Sequence, residues 1–367
     1  MAVTYAYSTS KPYDAALTEI RRQLYGFAPR LLIFFASPTY DLGSLAWGFE
    51  SLYPRAVAIG CSTAGEIVSG RVLNGSVAVM AFDSETIDDA AVAFVPNVGS
   101  PHSVQVALDR IASRLGTSAQ GLDYRTHFGI VLVDGLCKAE ERLMEHLGDL
   151  CDVTFVGGSA GDDMRFAATT VCAEGTARAS AAVLAVVRPR VKFDFVKTQS
   201  FRVLPKKLVP TKVDTAQREV KMINGRPAVQ EYAAYVGCAP ADVATHFMRY
   251  PLGAIGGGEP FVRSPQRAAG ESLFFYGNVI EGMELSLLES TDILTDTKES
   301  VEQARARGPV SAIVNFNSVL RTLELQRRGQ LDAYGRIFAK NPTVGFNTYG
   351  EEYIGHVNQT STMLVLR

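Results

Sequence analysis

Gly60-Cys61-Ser62-Thr63-Ala64-Gly65-Glu66 decides the fold, because its form, Gly-x-x-Thr-x-Gly-Glu, returns at Gly345-Phe346-Asn347-Thr348-Tyr349-Gly350-Glu351. A related stretch, Gly157-Gly158-Ser159-Ala160-Gly161-Asp162, lies between the two. Each stretch follows a short apolar run, so each is predicted to be the turn at the end of a buried strand. The sequence therefore predicts one structural unit that occurs three times.

The residues around the three turns have the same order in each copy. A continuous apolar run predicts a strand buried on both faces, and apolar residues at 3–4 spacing predict a helix after it. The first strands are predicted at 31–35, 128–133 and 312–316, and the closing strands at 76–82, 181–187 and 362–366. The predicted fold class is α/β, with two packed domains built from repeated strand-helix-strand-strand units and mixed sheets.

The turns are also the predicted ligand site. Glycine adopts the torsions that tight turns require and lets a ligand approach the main chain. Short polar side chains there predict one shared polar pocket, and the alternative is that the turns only join strands. Glu66 and Glu351 either receive a ligand cation or cap their turns, and Cys61 is a reactive thiol or, the interpretation we favour, a small buried hydrophobe. The predicted contacts are Cys61, Ser62, Thr63, Glu66, Ser159, Asn347, Thr348 and Glu351.

The region between the second and third copies has a different pattern. Asn224-Gly225 predicts a hairpin turn, and a helix is predicted over 227–236 between a proline and a glycine. A further helix from Pro240, paired strands at 273–279 and 283–288, and a helix capped at Asp296 are also predicted. The domain boundary is placed near residue 222, which gives domains 1–222 and 223–367.

Composition restricts the class of protein. The chain has 367 residues, 47% hydrophobic and 20% charged, which predicts a globular protein with more than one core. A net charge of −2 with interspersed signs gives no indication of nucleic acid binding. Apolar runs of strand length, no signal-peptide pattern, and five cysteines without Cys-x-x-Cys predict a cytoplasmic protein without membrane insertion.

With these elements in place, the sequence resembles the FIST family of sensory proteins, which have an N-terminal and a C-terminal FIST domain. The resemblance implies a bacterial or archaeal signal-input protein that binds a small ligand, is not an enzyme, and acts on a separate histidine kinase or cyclic-dinucleotide enzyme. It spans nearly the whole chain and rests on residues 58–66, 155–162, 224–228, 314–317, 344–351 and 358–362.

Length and layout also look like NosP, a subgroup of stand-alone FIST proteins that bind haem and sense nitric oxide. This resemblance implies haem b with His246 as the axial ligand to iron, and with Arg249 and Tyr250 beside the cofactor. His246 could instead be a buried histidine that is hydrogen-bonded to backbone. The alternative function is a sensor of an amino acid or another polar metabolite, without haem.

An enzyme is the less favoured class. Residues 157–161 satisfy Gly-x-Ser-x-Gly, the nucleophile elbow of serine hydrolases, with Ser159 at the position of the nucleophile. That motif requires a helix immediately after the serine, whereas residues 162–171 predict a turn and then a strand. A hydrolase that uses Ser159 is therefore kept as the weaker alternative.

Overall fold

The computed structural model describes residues 2–367, and these residues form two compact units. The repeat unit contains the chain up to Thr198, Thr297–His356 and Ser361–Arg367. The inserted unit contains Gln199–Asp296 and Val357–Thr360. These spatial units are not the two continuous segments 1–222 and 223–367, because the third repeat begins before the inserted unit and continues after it.

The first repeat has four long strands, two helices and a hairpin of two three-residue strands. The apolar run at 31–36 forms a fully buried strand, as predicted, and a helix follows that begins after Asp41, whose carboxylate accepts the N–H of Ser44. The elements are β1 (Val3–Ser8), α1 (Tyr13–Gln23), β2 (Leu31–Ala36), α2 (Leu42–Leu52), β3 (Val57–Ser62), β4 (Glu66–Val68), β5 (Arg71–Leu73) and β6 (Val77–Phe82).

The second repeat has the same order of elements. Its first helix starts at a proline that follows the capping residue Ser100. The elements are β7 (Ile87–Val95), α3 (Pro101–Arg114), β8 (Phe128–Val133), α4 (Glu140–Leu150), β9 (Phe155–Ser159), β10 (Val171–Ala173), β11 (Thr176–Arg178) and β12 (Ala182–Pro189).

The third repeat begins with β13 (Phe193–Gln199), and the inserted unit follows directly. The predicted Asn224-Gly225 turn and the helix that ends at Gly237 are confirmed. The inserted elements are β14 (Phe201–Leu208), β15 (Pro210–Asp214), β16 (Glu219–Ile223), β17 (Arg226–Pro227), α5 (Ala228–Val236), a 3₁₀ helix (Pro240–His246), β18 (Leu252–Gly256), β19 (Glu259–Arg263), β20 (Pro265–Ala269), β21 (Ser272–Phe275) and β22 (Leu285–Ser290).

The inserted unit has two antiparallel sheets around its own core. Their strand orders are β14-β22-β18-β19 and β15-β16-β21-β20. The predicted pairing of the strands near 273–279 and 283–288 is wrong, because β21 pairs with β16 and β20 whereas β22 pairs with β14 and β18. The two strands are consecutive in the chain, but each completes a different sheet.

After the inserted unit, the third repeat continues to Leu366. Its first helix begins at Ile293 rather than at Asp296, because Asp292 accepts the N–H of Thr295 at 2.7 Å and Asp296 already lies inside the helix. The elements are α6 (Ile293–Ala306), β23 (Ala312–Ser318), α7 (Val319–Arg327), α8 (Leu331–Ile337), β24 (Thr343–Thr348), β25 (Glu351–Tyr353), β26 (His356–Val357) and β27 (Thr360–Leu366).

Each repeat gives its short hairpin to the sheet of another repeat. The sheets have the orders β1-β6-β2-β3-β10-β11, β26-β25-β9-β8-β12-β7 and β13-β27-β23-β24-β4-β5. The equivalent pairs are β10 with β3, β25 with β9, and β4 with β24, all antiparallel. The second repeat therefore donates to the first, the third to the second, and the first to the third.

A common hydrophobic core lies between the three sheets. Phe35 of β2 packs against Phe316 of β23 and Phe346 of β24, with ring centres 6.1 Å and 4.6 Å apart. The opposite faces of the first two sheets are covered by their own helix pairs, α1 with α2 and α3 with α4. The predicted α/β class with mixed sheets is confirmed, and each repeat has more elements than the strand-helix-strand-strand pattern predicted.

Candidate functional site

The first glycine of each turn motif is explained by close packing between strands. Gly60, Gly157 and Gly345 lie inside strands and do not have positive φ. A Cβ atom on any of them would overlap the carbonyl oxygen of the residue paired with it on the parallel neighbouring strand, which is Phe34, Val131 or Asn315. The expectation that these glycines supply turn torsions is therefore wrong. Gly65, with a φ of 112°, does have that role.

The three turns meet and are joined to one another by backbone hydrogen bonds. Asn347 N–H donates to Gly65 at 2.8 Å, Gly161 N–H donates to Ser62 at 3.0 Å, and Ser159 N–H donates to Gly350 at 2.8 Å. Every pair of turns is bonded in this way, so the polar groups near strand ends far apart in sequence are collected at one place. This juxtaposition is what the prediction of a shared pocket required.

The threonine and the acid of the repeated motif bind each other. Thr63 Oγ1 donates to Glu66 Oε1, and Thr348 Oγ1 donates to Glu351 Oε1 at 2.9 Å. Ser76 donates its N–H at 3.0 Å and its hydroxyl to the other oxygen of Glu66. Burial raises the pKa of Glu66 to about 7, against the opposing effect of these hydrogen bonds. Of the two roles left open for Glu66, these contacts fit that of a cap on the turn.

Ser159 lies in a buried polar chain of the second and third repeats. Its hydroxyl donates to Glu352 Oε1 at 3.3 Å, and the same oxygen is 2.9 Å from His356 Nδ1. Burial lowers the pKa of His356, but the charge and the hydrogen bond of Glu352 outweigh it and raise that pKa to about 9. Burial also raises the pKa of Glu352. Ser159 is fully buried, and residues 160–170 after it form no helix.

Asn347 belongs to a buried amide and hydroxyl network beneath α7. Its Oδ1 accepts hydrogen bonds from Thr322 at 2.7 Å and from Asn317 at 3.2 Å. Asn317 Oδ1 in turn accepts from Arg321 Nε at 3.1 Å, and Arg321 is only 2% exposed. The third sheet therefore has a polar outer face where the first two sheets have apolar ones.

Cys61 points into the core between the sheets and is fully buried. Burial, with smaller contributions from Cys172 and Glu66, raises the pKa of its thiol well above the usual value. The environment of Cys61 fits the role of a small buried hydrophobe, the interpretation preferred from the sequence, rather than that of a reactive thiol.

One predicted contact residue, Ser62, lines an open cavity of about 510 Å³, which we call the turn cavity. The N-terminus of α2, the end of β3 and the segment 162–170 form its walls. Burial works against an ionised Asp162, but hydrogen bonds from Tyr349 and from three backbone N–H groups outweigh it and lower its pKa. Arg165 at the opening is exposed, so both signs of charge face the cavity.

The segment that covers the turn cavity has an unusual backbone. Asp163, Met164 and Phe166 have φ of 55°, 64° and 52°, the left-handed region that non-glycine residues rarely adopt. Asp162 holds this conformation by accepting the N–H groups of Phe166, Ala167 and Ala168 at 2.6 to 2.9 Å. Strained backbone of this kind is concentrated at binding sites, where the surroundings fix it.

The residues predicted to hold haem lie in the inserted unit. His246 ends the 3₁₀ helix, its ring is half-buried, and its ring nitrogens make no hydrogen bond with residues 2–367. Arg249 and Tyr250 both contact Glu289 Oε1 at 3.3 Å. Val243 and Phe247 on either side of His246 are buried in the core of this unit, so His246 alone among these residues has polar atoms without a partner.

Sequence reasoning missed the residues that complete the turn cavity, namely Tyr40, Asp41, Asp162 and Arg165. Because Asp162 ends the Gly157–Asp162 motif, its position at a turn could be predicted from the sequence. The position of Arg165 beside the cavity could not be predicted, because its segment has no helical or strand periodicity. Among residues 2–367 no group of three or more His, Cys, Asp or Glu is arranged to hold a metal ion, and no helix is long and apolar enough to cross a membrane.

Comparison with known proteins defines the class of this chain. The FIST N domain matches residues 30–226 and the FIST C domain matches residues 228–353. The chain belongs to the FIST family, whose domains are sensory domains that bind small ligands. The two matches meet near residue 227, within the inserted unit, and so divide the sequence at a different place from the compact units.

Among curated proteins, the chain is 24% identical over 295 residues to the uncharacterized protein MJ1623 of Methanocaldococcus jannaschii. This match covers 75% of the chain and 57% of the relative, so the chain spans little more than half the length of that protein. Among solved structures, cyanuric acid hydrolase from A. caulinodans is 10% identical, with a TM-score of 0.21, and the match covers 76% of this chain and 98% of that one.

Proposed function

We propose that this FIST protein is a cytoplasmic signal-input protein that binds an amino acid or a similar polar metabolite in the turn cavity. It passes the signal to a separate partner, such as a histidine kinase or a cyclic-dinucleotide enzyme. One observation carries the proposal: Ser62 and Asp162, from two different repeats, face one cavity of about 510 Å³. That volume is within the range of small-molecule sites.

The charges of the turn cavity fit a ligand that has both an amine and a carboxylate. The N-cap Asp41 presents a carboxylate and Arg165 presents a guanidinium, while the ionised Asp162 adds a buried negative charge at the wall. The N-terminus of α2 adds the positive end of the helix dipole. The hydroxyl of Ser62, which accepts the N–H of Thr170 at 2.9 Å, has its own proton left to donate.

The same arrangement supports recognition without transformation of the ligand. The buried thiol of Cys61 and the buried hydroxyl of Ser159 are both remote from solvent. Incubation with a bound metabolite is expected to return that metabolite unchanged, as measured by mass spectrometry. Turnover of the ligand, or labelling of Ser159 by an ester-directed probe, would support the hydrolase alternative instead.

A thermal-shift panel of the amino acids and small dicarboxylates tests the proposal. Free ligand at 100 times its dissociation constant stabilises the folded state by about 2.7 kcal/mol, an easily measured rise in melting temperature. Arg165→Ala is expected to weaken binding of the best ligand by roughly 10-fold or more, since hydrogen bonds to charged groups contribute about 1.5–3 kcal/mol. Isothermal titration calorimetry measures the loss.

Arg55→Ala is the matched control, because Arg55 is also an exposed arginine and does not line the turn cavity. This variant is expected to bind as the wild type does. A panel without any stabilising compound, or equal binding by Arg165→Ala and wild type, contradicts the assignment of the turn cavity.

Haem b with nitric oxide sensing is the second candidate. The half-buried imidazole of His246, which makes no hydrogen bond with residues 2–367, favours it. Haem would supply a nitric oxide-binding iron, and His246 would be its protein ligand. Arg249 and Tyr250 would have to leave Glu289 in order to contact the propionates, so the rest of the expected set fits less well.

The visible absorption spectrum of protein purified from haem-replete cells tests the second candidate. A Soret band that His246→Ala abolishes and Arg249→Ala keeps would support His246 as the iron ligand. A colourless protein, or a Soret band that is unchanged in His246→Ala, would contradict His246 as a haem ligand. Neither result would bear on ligand binding in the turn cavity.

A further inference from the structure

A second, larger cavity lies in the repeat unit. Its volume is about 1060 Å³, and it shares no lining residue with the turn cavity. The segment Tyr124–Thr126 before β8 and residues 188–195, from the end of β12 into β13, form its walls. We call it the basic cavity.

The basic cavity concentrates positive charge in a protein whose net charge is −2. Only two acidic residues, Asp88 and Asp194, line it together with six basic ones. A concave surface lined by one sign of charge raises the local concentration of oppositely charged ligands. The six basic residues are Arg125, Arg188, Arg190, Lys192, Arg307 and Arg367.

Acidic neighbours do not account for all of this charge. Asp88 forms ion pairs with Arg188, at 2.6 Å, and with Arg190, and the hydrogen bond from Arg188 lowers the pKa of Asp88. Lys192 and Arg307 are exposed, and within residues 2–367 neither has an acidic partner. Two cations are therefore left to meet an anion from solution.

The basic cavity also presents aromatic surface. Tyr124 is 57% exposed, which is unusual for so large a ring, and Phe193 and Phe195 are half-buried. The guanidinium of Arg125 lies 5.9 Å from the centre of the Tyr124 ring. An exposed ring beside arginines is the combination that binds a base by stacking and a phosphate by charge-assisted hydrogen bonds.

We propose that the basic cavity binds a phosphate-bearing nucleotide, with its base against Tyr124 and its phosphates near Lys192 and Arg307. The volume of about 1060 Å³ suits a ligand of that size. An inorganic oligophosphate would bind the two cations but would not stack on Tyr124, and a nucleoside would stack on Tyr124 but would not pair with the two cations. The nucleotide uses both.

Fluorescence polarisation of N-methylanthraniloyl-labelled ATP and GTP with the full chain tests this proposal. Saturable binding is expected with at least one of the two, with competition by the unlabelled nucleotide. The double charge reversal Lys192→Glu with Arg307→Glu is expected to weaken binding roughly 10-fold or more, since it replaces attraction of the phosphates by repulsion and removes two charge-assisted donors. Tyr124→Ala is expected to weaken it at least about fivefold, through lost stacking.

Lys340→Glu is the matched control, because Lys340 is an exposed lysine outside both cavities, and it is expected to bind as the wild type does. The proposal is overturned by an absence of saturable binding up to millimolar protein, or by wild-type affinity in the double reversal. Equal competition by inorganic triphosphate with no effect of Tyr124→Ala also overturns it, as does affinity that rises with oligonucleotide length. Arg165→Ala is expected to leave nucleotide binding unchanged, which separates this result from the test of the turn cavity.

Discussion

At the scale of single residues, three recurring glycines allow parallel strands of the repeats to lie close together. Gly60, Gly157 and Gly345 recur because each faces a carbonyl oxygen of a parallel neighbour, a contact between residues 26 to 30 positions apart. The repeated spacing indicates that a small residue is needed at these positions. It does not show which strand comes close, because that contact exists only in the folded structure. The pairing of threonine with glutamate three residues later was readable, because the same spacing occurs in two turns.

Gly157→Ala tests this explanation. The new methyl group would overlap the carbonyl of Val131, so β8 and β9 must separate, and a loss of more than about 3 kcal/mol of unfolding free energy, or failure to fold, is expected. Urea denaturation measures it. Gly148→Ala in α4 is the control, since its methyl group meets no atom within 4 Å, and a gain of about 0.5–1 kcal/mol is expected there. Equal stability of the two variants would contradict the packing explanation.

At the scale of elements, the long strands and helices of each repeat followed from periodicity, whereas the exchanged hairpins did not. Strands of three residues, such as β4 and β5, are too short to show an alternating pattern. Their partners are also remote, since β4 pairs with β24 almost 280 residues later. The ligand residues of the turn cavity share this difficulty, because Arg165 lies in an irregular segment and contributes through tertiary position alone.

Glu66 holds the start of the β4–β5 hairpin against Ser76, next to β6, and its titration should be visible in stability. Its pKa rises from 4.5 to about 7 on folding, chiefly through burial. The folded state therefore binds more protons than the unfolded state between those values, and stability should fall as pH rises from about 4.5 to 7, by up to about 1.4 kcal/mol per pH unit. Chemical denaturation at pH 5 and pH 7 measures the slope.

Glu66→Gln keeps the shape of this side chain but does not titrate, and its amide replaces one of the two accepting oxygens with an NH2 donor. The fall in stability between pH 5 and pH 7 is expected to be smaller in this variant than in the wild type. An identical slope in the two proteins would assign the pH dependence to other buried groups, such as Glu352, whose pKa is also raised by burial.

At the scale of the whole molecule, the domain 1–222 predicted from the sequence differs from the compact units of the structure. Residues 1–222 contain both strands of the β4–β5 hairpin but not β24, on which that hairpin pairs. They contain β9 but not β25, which completes the sheet of the second repeat. The turns of the first two repeats would also lose their hydrogen bonds to the third.

A chain that ends at residue 222 is therefore expected to lack a cooperative thermal transition and to bind the dye ANS, because apolar faces and strand edges are uncovered. Addition of a separate 293–367 fragment is expected to restore part of the transition, as measured by near-ultraviolet circular dichroism. Cooperative unfolding of 1–222 by itself would show that the first two repeats do not depend on the third.

The circular order of hairpin donation has one more consequence. A solenoid is open-ended, so evolution lengthens or shortens it by whole modules, and only the terminal modules need protection. Here each of the three sheets already pairs with the hairpin of another repeat, so a fourth repeat would have no free sheet edge for its hairpin. Loss of one repeat would leave the hairpin of another without a sheet to pair with. The number of repeats is therefore fixed at three. The protein can become longer only by insertions between elements that leave the exchanged hairpins paired, as the insertion at 199–296 does.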